Sequence, residues 1–140
     1  MDDIAADWLR GKKLGSLLLV SAKEPRNNQF HRKFFALLWL AFDYFEPQVE
    51  WKGQPVAKEF DRFRRDVLVI SGFGHPVVNL KGEVRYEADS ISFAKCDEEK
   101  FNRIYNAVLD TLMKRVLSKA GFTRDEAERA VLEQEIANFA

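Results

Sequence analysis

The stretch PRNNQFHRKFFALLWLAFDYFEP, residues 25–47, decides how this chain is read. It opens with amides and cations, turns wholly apolar at Phe34, and regains a charge only at Asp43. Pro25 and Pro47 bracket it, and proline cannot continue a helix because it lacks the N–H and its ring clashes with the preceding turn. The pattern predicts one helix from about Asn27 to Phe45. Side chains on a helix share a face only at three- and four-residue spacing. From Phe34 to Phe42 every face is apolar, the indole N–H of Trp39 apart. Such a segment is expected to be buried all round, at the centre of the fold.

The polar head cannot follow the shaft inside. An unpaired buried charge costs on the order of several kcal/mol, comparable with the margin of a whole domain. Arg32 and Lys33 are therefore expected at the surface, at the N-terminal end of the helix. That end carries free backbone N–H groups and the positive end of the helix dipole. Around it stand Arg26, Asn27, Asn28, Gln29, His31, Arg32 and Lys33. Amide donors, a planar guanidinium and an ammonium suit an anion such as phosphate. The same residues also read without a ligand. Asn27 or Asn28 is then an ordinary N-cap, and Arg32 and Lys33 are solvated charges.

Outward from this segment the elements follow from punctuation and period. Residues 3–10 read as a short helix capped by Asp2 or Asp3 and stopped by Gly11. SLLLVSA, Ser16 to Ala22, reads as a buried strand. EPQVEWKGQPVA, residues 46–57, is turn-rich. A second helix is expected from Ala57 to about Ile70, ending at Ser71-Gly72. HPVVNL, EVRYEA and SISFAK, residues 75–80, 83–88 and 90–95, read as strands, the first two joined at Lys81-Gly82. From Asp97 to Lys119 an i, i+3, i+4 stripe of apolar residues runs from Phe101 to Leu117, which predicts a long core-facing helix. Gly121 suits the left-handed position that ends it. Thr123 with Glu126 forms a capping box, so a last helix starts there. This order implies an α+β fold: a small, mostly antiparallel sheet packed against three or four helices, with the 27–45 helix buried at the centre and 1–140 as a single domain.

Composition narrows the function classes. At 140 residues the chain can bury roughly 70% of its extended surface and needs no staples. Its 22 basic residues balance 22 acidic ones. There is no global field toward nucleic acid or membrane, so any such contact needs a local patch. Cys96 is the only cysteine, which excludes an intrachain disulfide and fits a reducing bacterial cytoplasm. Met1 is followed by two aspartates, so no secretory n-region is expected. The run Phe34 to Phe42 is about half a membrane span, and no membrane partner is expected.

The chemistry-bearing inventory is short. DRFRRD, residues 61–66, puts Arg62 and Arg65 on one helix face, where they extend a basic surface or are balanced by Glu59, Asp61 and Asp66. Lys114, Arg115 and Lys119 fit simple complementation of a helix C-terminus. Asp43, Glu46 and Glu50 are carboxylates of the kind a metal-dependent nuclease uses, but they straddle a helix end and Pro47. His31 and His75 with one cysteine make no zinc set. GFGH, residues 72–75, has the wrong glycine spacing for a phosphate loop. The residues predict binding rather than catalysis, with no catalytic residue, metal or cofactor.

Two stretches carry a resemblance. NNQFHRKFFALLWLAFDYFEP and SISFAKCDEEKFNRIYNAVLDTLMKRVL together resemble a bacteriophage and prophage family of unknown function. Its members read as an FHRKFFALL helix ending in FDYWEP, followed by a late SIxFAxMDExEFxxLYxAxLDVL segment. This chain has Cys96 where methionine is usual, and fewer residues between Pro47 and Gly72. A shorter likeness, HRKFF with QVEWKG, is similar to the NinB (Orf) recombination mediators of lambdoid phages. There Arg32, Lys33 and Gln48 to Gly53 match, Lys52 aside, with His31 in place of an asparagine.

The second resemblance implies a phage-encoded, non-catalytic accessory protein for recombination or replication. It would be a homodimer that binds nucleic acid, single-stranded DNA in preference, and works with host or phage recombination proteins. Phosphates would be held by Arg26, Arg32 and Lys33 with Gln29 and His31 in support, and Trp51 or Phe30 would stack a base. The alternative is an anti-defence protein that binds and inhibits a host complex such as a CRISPR effector, since near-neutral charge and abundant aromatics suit a protein interface.

Overall fold

Helix α1 spans Arg26–Tyr44, within a residue of the bounds that the two prolines impose. The computed structural model describes residues 26–139, with side chains described from 28 to 137. The helix expected at 3–10 and the strand expected at 16–22 lie outside the described residues. Phe34, Ala36, Leu37, Leu38, Leu40 and Ala41 of α1 are all buried, and they point in several directions around the axis. The shaft is thus enclosed on nearly every side. Trp39 is the exception, with 39% of its surface open. Its indole stacks on Phe60 at 3.7 Å, which covers one ring face and leaves an edge for water at the N–H.

After α1 the chain forms a hairpin of two-residue strands, β1 (Glu50–Trp51) and β2 (Gln54–Pro55). Helix α2 covers Phe60–Ile70, three residues shorter at its start than the sequence suggested. A longer hairpin follows, β3 (Gly74–Val78) and β4 (Val84–Ala88), antiparallel with Val78 opposite Val84 and Gly74 opposite Ala88. The Asn79 carboxamide closes its turn by accepting from the N–H groups of Lys81 and Glu83 at 3.0 and 2.9 Å. Gly74 is where this ribbon meets α2. A Cβ there would lie 3.0 Å from the Glu87 carbonyl oxygen and 3.1 Å from Val69 Cγ2, so a larger residue would force its neighbours to shift.

The strand expected at 90–95 does not form. Phe93–Lys95 is a single 3₁₀ turn, with Lys95 N–H donating to Ser92 O at 3.2 Å. Its alternation arises because Ile91 and Phe93 dip toward the core while no strand lies beside them. Phe93 sits 5.2 Å from Phe34 and 6.0 Å from Phe101. The sheet is likewise two separate antiparallel ribbons, β1–β2 and β3–β4, in an α+β arrangement with the helices.

Helix α3 (Glu98–Leu112) starts at Asp97, whose carboxylate accepts from Lys100 N–H at 2.7 Å. It buries Phe101, Ile104, Tyr105, Val108, Leu109 and Leu112. It continues through one π-helical turn, Met113–Leu117, where Ser118 N–H reaches Met113 O at 2.9 Å. The wider turn keeps both Val116 and Leu117 in the core. Gly121, at φ +94°, ends the run, and Phe122 N–H donates to Leu117 O at 2.9 Å as a left-handed cap requires. Helix α4 (Arg124–Phe139) begins with the capping box. Thr123 Oγ1 accepts from Glu126 N–H at 3.2 Å, and Glu126 Oε1 accepts from Thr123 N–H at 3.0 Å. Ala127 and Val131 bury one side of α4.

Two outcomes test this account. Leu37 has no exposed surface, so Leu37→Ala should cost about 2–5 kcal/mol in chemical denaturation. The two Thr123 hydrogen bonds hold the Glu126 carboxyl below its ordinary value of 4.5, the backbone bond contributing most. A carboxyl lowered in the folded state stabilises fully above its unfolded value, and that stability is lost as pH falls through the folded value. Melting curves should therefore show the wild type above Glu126→Gln at neutral pH. The gap should narrow as the pH drops below 4.5.

Candidate functional site

The head of α1 is at the surface, but it is not an isolated cationic tip. Asn28, Gln29 and His31 are exposed. Arg32 keeps 24% of its side chain open, and its Nε lies 3.6 Å from Glu135 Oε2 on α4. Lys33 Nζ sits 4.6 Å above the ring of Tyr105 on α3. Burial pushes the Tyr105 phenol up, with Glu128 and Glu135 adding to it, so the ring stays neutral. A hollow of about 260 Å³ opens between Gln29, Arg32, Lys33, Glu98 and Glu135. Its two cations face two carboxylates. Phe30 is buried and stacks on Phe101 at 4.3 Å, so it does not offer a face to a base. Arg26 and Asn27 open the helix; their side chains lie outside the described ones.

The other end of the fold is built differently. A groove of about 680 Å³ runs between α2 and the C-terminal part of α3. Phe45, Phe63, Val67, Leu112 and Val116 contribute its apolar floor. Lys58, Arg62, Arg115 and Lys119 stand along it against Glu59 and Asp66. A hollow of about 270 Å³ continues it past Tyr44 and Pro47 and shares Arg115 and Lys119.

These cations are not equally engaged. Lys58 Nζ donates to Phe42 O at 2.7 Å and lies 3.5 Å from Glu46. Arg62 pairs with Asp66 at 3.0 Å. Arg65 points elsewhere, to Asp61 at 3.0 Å, and Arg64 reaches the same carboxylate at 2.7 Å. The Arg64 hydrogen bond, with help from Arg65, holds Asp61 below the usual carboxylate range. Among the described residues, Arg115 and Lys119 make no ion pair or hydrogen bond through their side chains.

Beside the groove stands the β1–β2 hairpin. Its two stems leave from Phe45 and Ala57, both of which line the groove. Trp51 is 69% exposed. Lys52 takes a left-handed φ of 53°, sparsely populated for a side chain with a Cβ, and its Nζ lies 5.8 Å from the Trp51 ring. The 19 residues of α1, about 28 Å at helical rise, lie between the head and the segment that leads to this hairpin. The phosphate contacts and the stacking aromatic expected from the sequence are thus at opposite ends of the helix.

Asp43, Glu46 and Glu50 do not converge. Among the described residues no group of three or more His, Cys, Asp or Glu side chains is placed to hold a metal. No described helix is long and apolar enough to cross a membrane. The residues that sequence reasoning passed over are Lys58, Arg115 and Lys119. Thr111, Arg115 and Lys119 recur every four residues and so share a helix face, a signal that complementation of the helix C-terminus had concealed.

No curated protein matches this chain, and no solved structure does. A family model matches in two overlapping blocks, residues 1–54 and 50–137, which between them take in nearly the whole sequence. The chain belongs to the family described as Protein of unknown function (DUF1367).

Proposed function

We propose that this is a phage-encoded, non-catalytic nucleic-acid-binding accessory protein for recombination or replication. It takes a single strand along the groove between α2 and the end of α3. One observation carries the reading: among the described residues Arg115 and Lys119 have no side-chain partner over an apolar floor, and the hairpin whose stems leave that groove carries the exposed Trp51. Proteins that track single strands combine a cationic groove for the backbone with an aromatic face for the bases. Arg and Lys position phosphates, and Trp51 supplies the stacking face. Arg62 and Lys58 extend the cationic side once a phosphate competes for their present partners. A duplex keeps its base faces stacked inside, so the exposed indole favours a single strand. The likeness of Gln48 to Gly53 to the NinB block falls on this hairpin. The phage origin rests on the resemblance carried by residues 27–47 and 90–117.

Fluorescence anisotropy with single- and double-stranded oligonucleotides at two salt concentrations tests the proposal. Single strands should bind more tightly, and affinity should fall as salt rises. Arg115→Glu with Lys119→Glu should weaken binding by about tenfold or more, and should lower the salt slope by about 1.4 for two lost phosphate contacts. Trp51→Ala should remove about 1–3 kcal/mol, the worth of one stacked base. The head behaves as a control. Arg32→Ala with Lys33→Ala removes a partly exposed ion pair and a cation–ring contact, so it should lower the melting temperature by about 3–6 °C while leaving affinity nearly unchanged. Affinity unaltered in the Arg115/Lys119 variant but lost in the Arg32/Lys33 variant would move the site to the head. No binding of either oligonucleotide at low salt would end the reading.

A further inference from the structure

Among the described residues, the β3–β4 ribbon has an unpartnered edge and an uncovered face. Among the described residues no third strand pairs with either β3 or β4. The face that carries Gly74 and Ala88 packs on α2 at its base, where Gly74 meets Val69. Farther out the same face bears Pro76, Val78, Val84 and Tyr86 beyond the reach of α2. Val78, Val84 and Tyr86 are 71%, 64% and 63% exposed. A two-stranded ribbon is marginal in water on its own, so an exposed apolar ribbon face calls for an occupant.

The pattern of β4 identifies that occupant. At the ribbon's ends, Asn79 N–H donates to Glu83 O at 2.9 Å and Asp89 N–H to Phe73 O at 2.9 Å. Backbone groups alternate in direction along an antiparallel strand. Residues 83, 85, 87 and 89 therefore bond inward to β3, and Val84, Tyr86 and Ala88 direct their N–H and C=O groups to the outer edge. We propose that this edge joins two copies of the chain in an antiparallel ladder centred on Tyr86. In that register Tyr86 lies opposite Tyr86 of the second copy, and Val84 lies opposite Ala88. Each of these pairs exchanges both backbone bonds. Arg85 then lies opposite Glu87, and by the two-fold symmetry Glu87 lies opposite Arg85.

The sequence Val-Arg-Tyr-Glu-Ala is thus its own complement when reversed. The neighbouring hydrogen-bonded registers are not. A ladder centred on Arg85 puts Arg85 against Arg85, and one centred on Glu87 puts Glu87 against Glu87. Like charges directly opposite are destabilising, so the charges disfavour both neighbouring registers. The joined ribbons form one continuous sheet whose apolar face brings Val84 and Tyr86 of both copies together.

Sedimentation velocity of the full chain across a concentration series tests this, with Arg85→Glu, Glu87→Arg and the double swap. The wild type should dimerise. Each single variant places like charges opposite each other twice, and should raise the dimer dissociation constant by about tenfold to a hundredfold. The double swap restores opposite charges in the same register and should restore the dimer. Circular dichroism should show all the variants folded, because Arg85 is exposed and Glu87 partly exposed in a single copy. A monomeric wild type at all concentrations overturns the proposal. So does a dimer indifferent to the single changes, or a double swap that stays as weak as the singles. Nucleic-acid binding by a chain that is monomeric in this assay would leave the groove reading standing while this one falls.

Discussion

Burial of the α1 shaft on nearly every side is the constraint from which the rest of the architecture follows. A helix with one apolar stripe needs one neighbour; a helix apolar all round needs a jacket. Leu37 and Leu38 are adjacent, about 100° apart on the helix, and neither has exposed surface. Helices α2, α3 and α4 and the Phe93 turn supply that jacket. The contacts also fix direction. The start of α1 lies beside Glu98, at the start of α3, while Tyr44 and Phe45 lie beside Arg115 and Lys119 at its end. Helices α1 and α3 thus run parallel. Helix α4 runs back, from Phe122 against Tyr44 to Glu135 against Arg32.

That arrangement sorts charge in a molecule whose formal net charge is zero. Acidic side chains favour helix N-termini and basic ones C-termini. Asp97, Glu98 and Glu99 therefore gather at the head, and Lys114, Arg115 and Lys119 gather at the far end. The head of α1 brings cations to the end where α3 brings carboxylates, and Glu135 of the returning helix adds another. Its charge is largely spent on its neighbours. The groove receives cations from α3 that its own floor cannot pair. A local positive surface arises without a basic protein, by parallel alignment of two helices.

How much of this could be read from the chain depends on whether the deciding partner was local. The bounds of α1, the Asp97 start and Gly121 stop of the α3 segment, the Thr123–Glu126 box and the turn before Glu83 are all set within a few residues, and all were legible. Partners distant in sequence were not. Arg32 reads as a surface cation, anion-binding or solvated, because nothing near it announces Glu135. The segment at 90–95 alternates like a strand, but alternation reports which side chains are buried, not whether a second strand lies alongside. The same limit turned one expected sheet into two ribbons. Arg115 and Lys119 were hidden by a sufficient local explanation, since a charge that suits a helix end can also line a groove. Trp51 was legible as a stacking candidate, and only its distance from the head had to come from the fold.

Helix α2 ties the groove to the ribbon. Phe63 and Val67 face the groove floor, and Val69 meets the ribbon at Gly74, its Cγ2 3.1 Å from where a Cβ would stand. With so little room between Gly74 and Val69, the ribbon packs closely on α2. Joining two copies along β4 would therefore set their grooves at a fixed spacing and a fixed two-fold angle. Were each groove the proposed single-strand site, two held in that way would act at a high effective concentration for one another, and a strand long enough to span both would gain avidity of up to about 10²–10⁴ over either alone. A groove carrying few unpaired cations is a weak site by itself. Under the two proposals together, pairing two such grooves would reconcile a neutral protein with a polyanionic ligand.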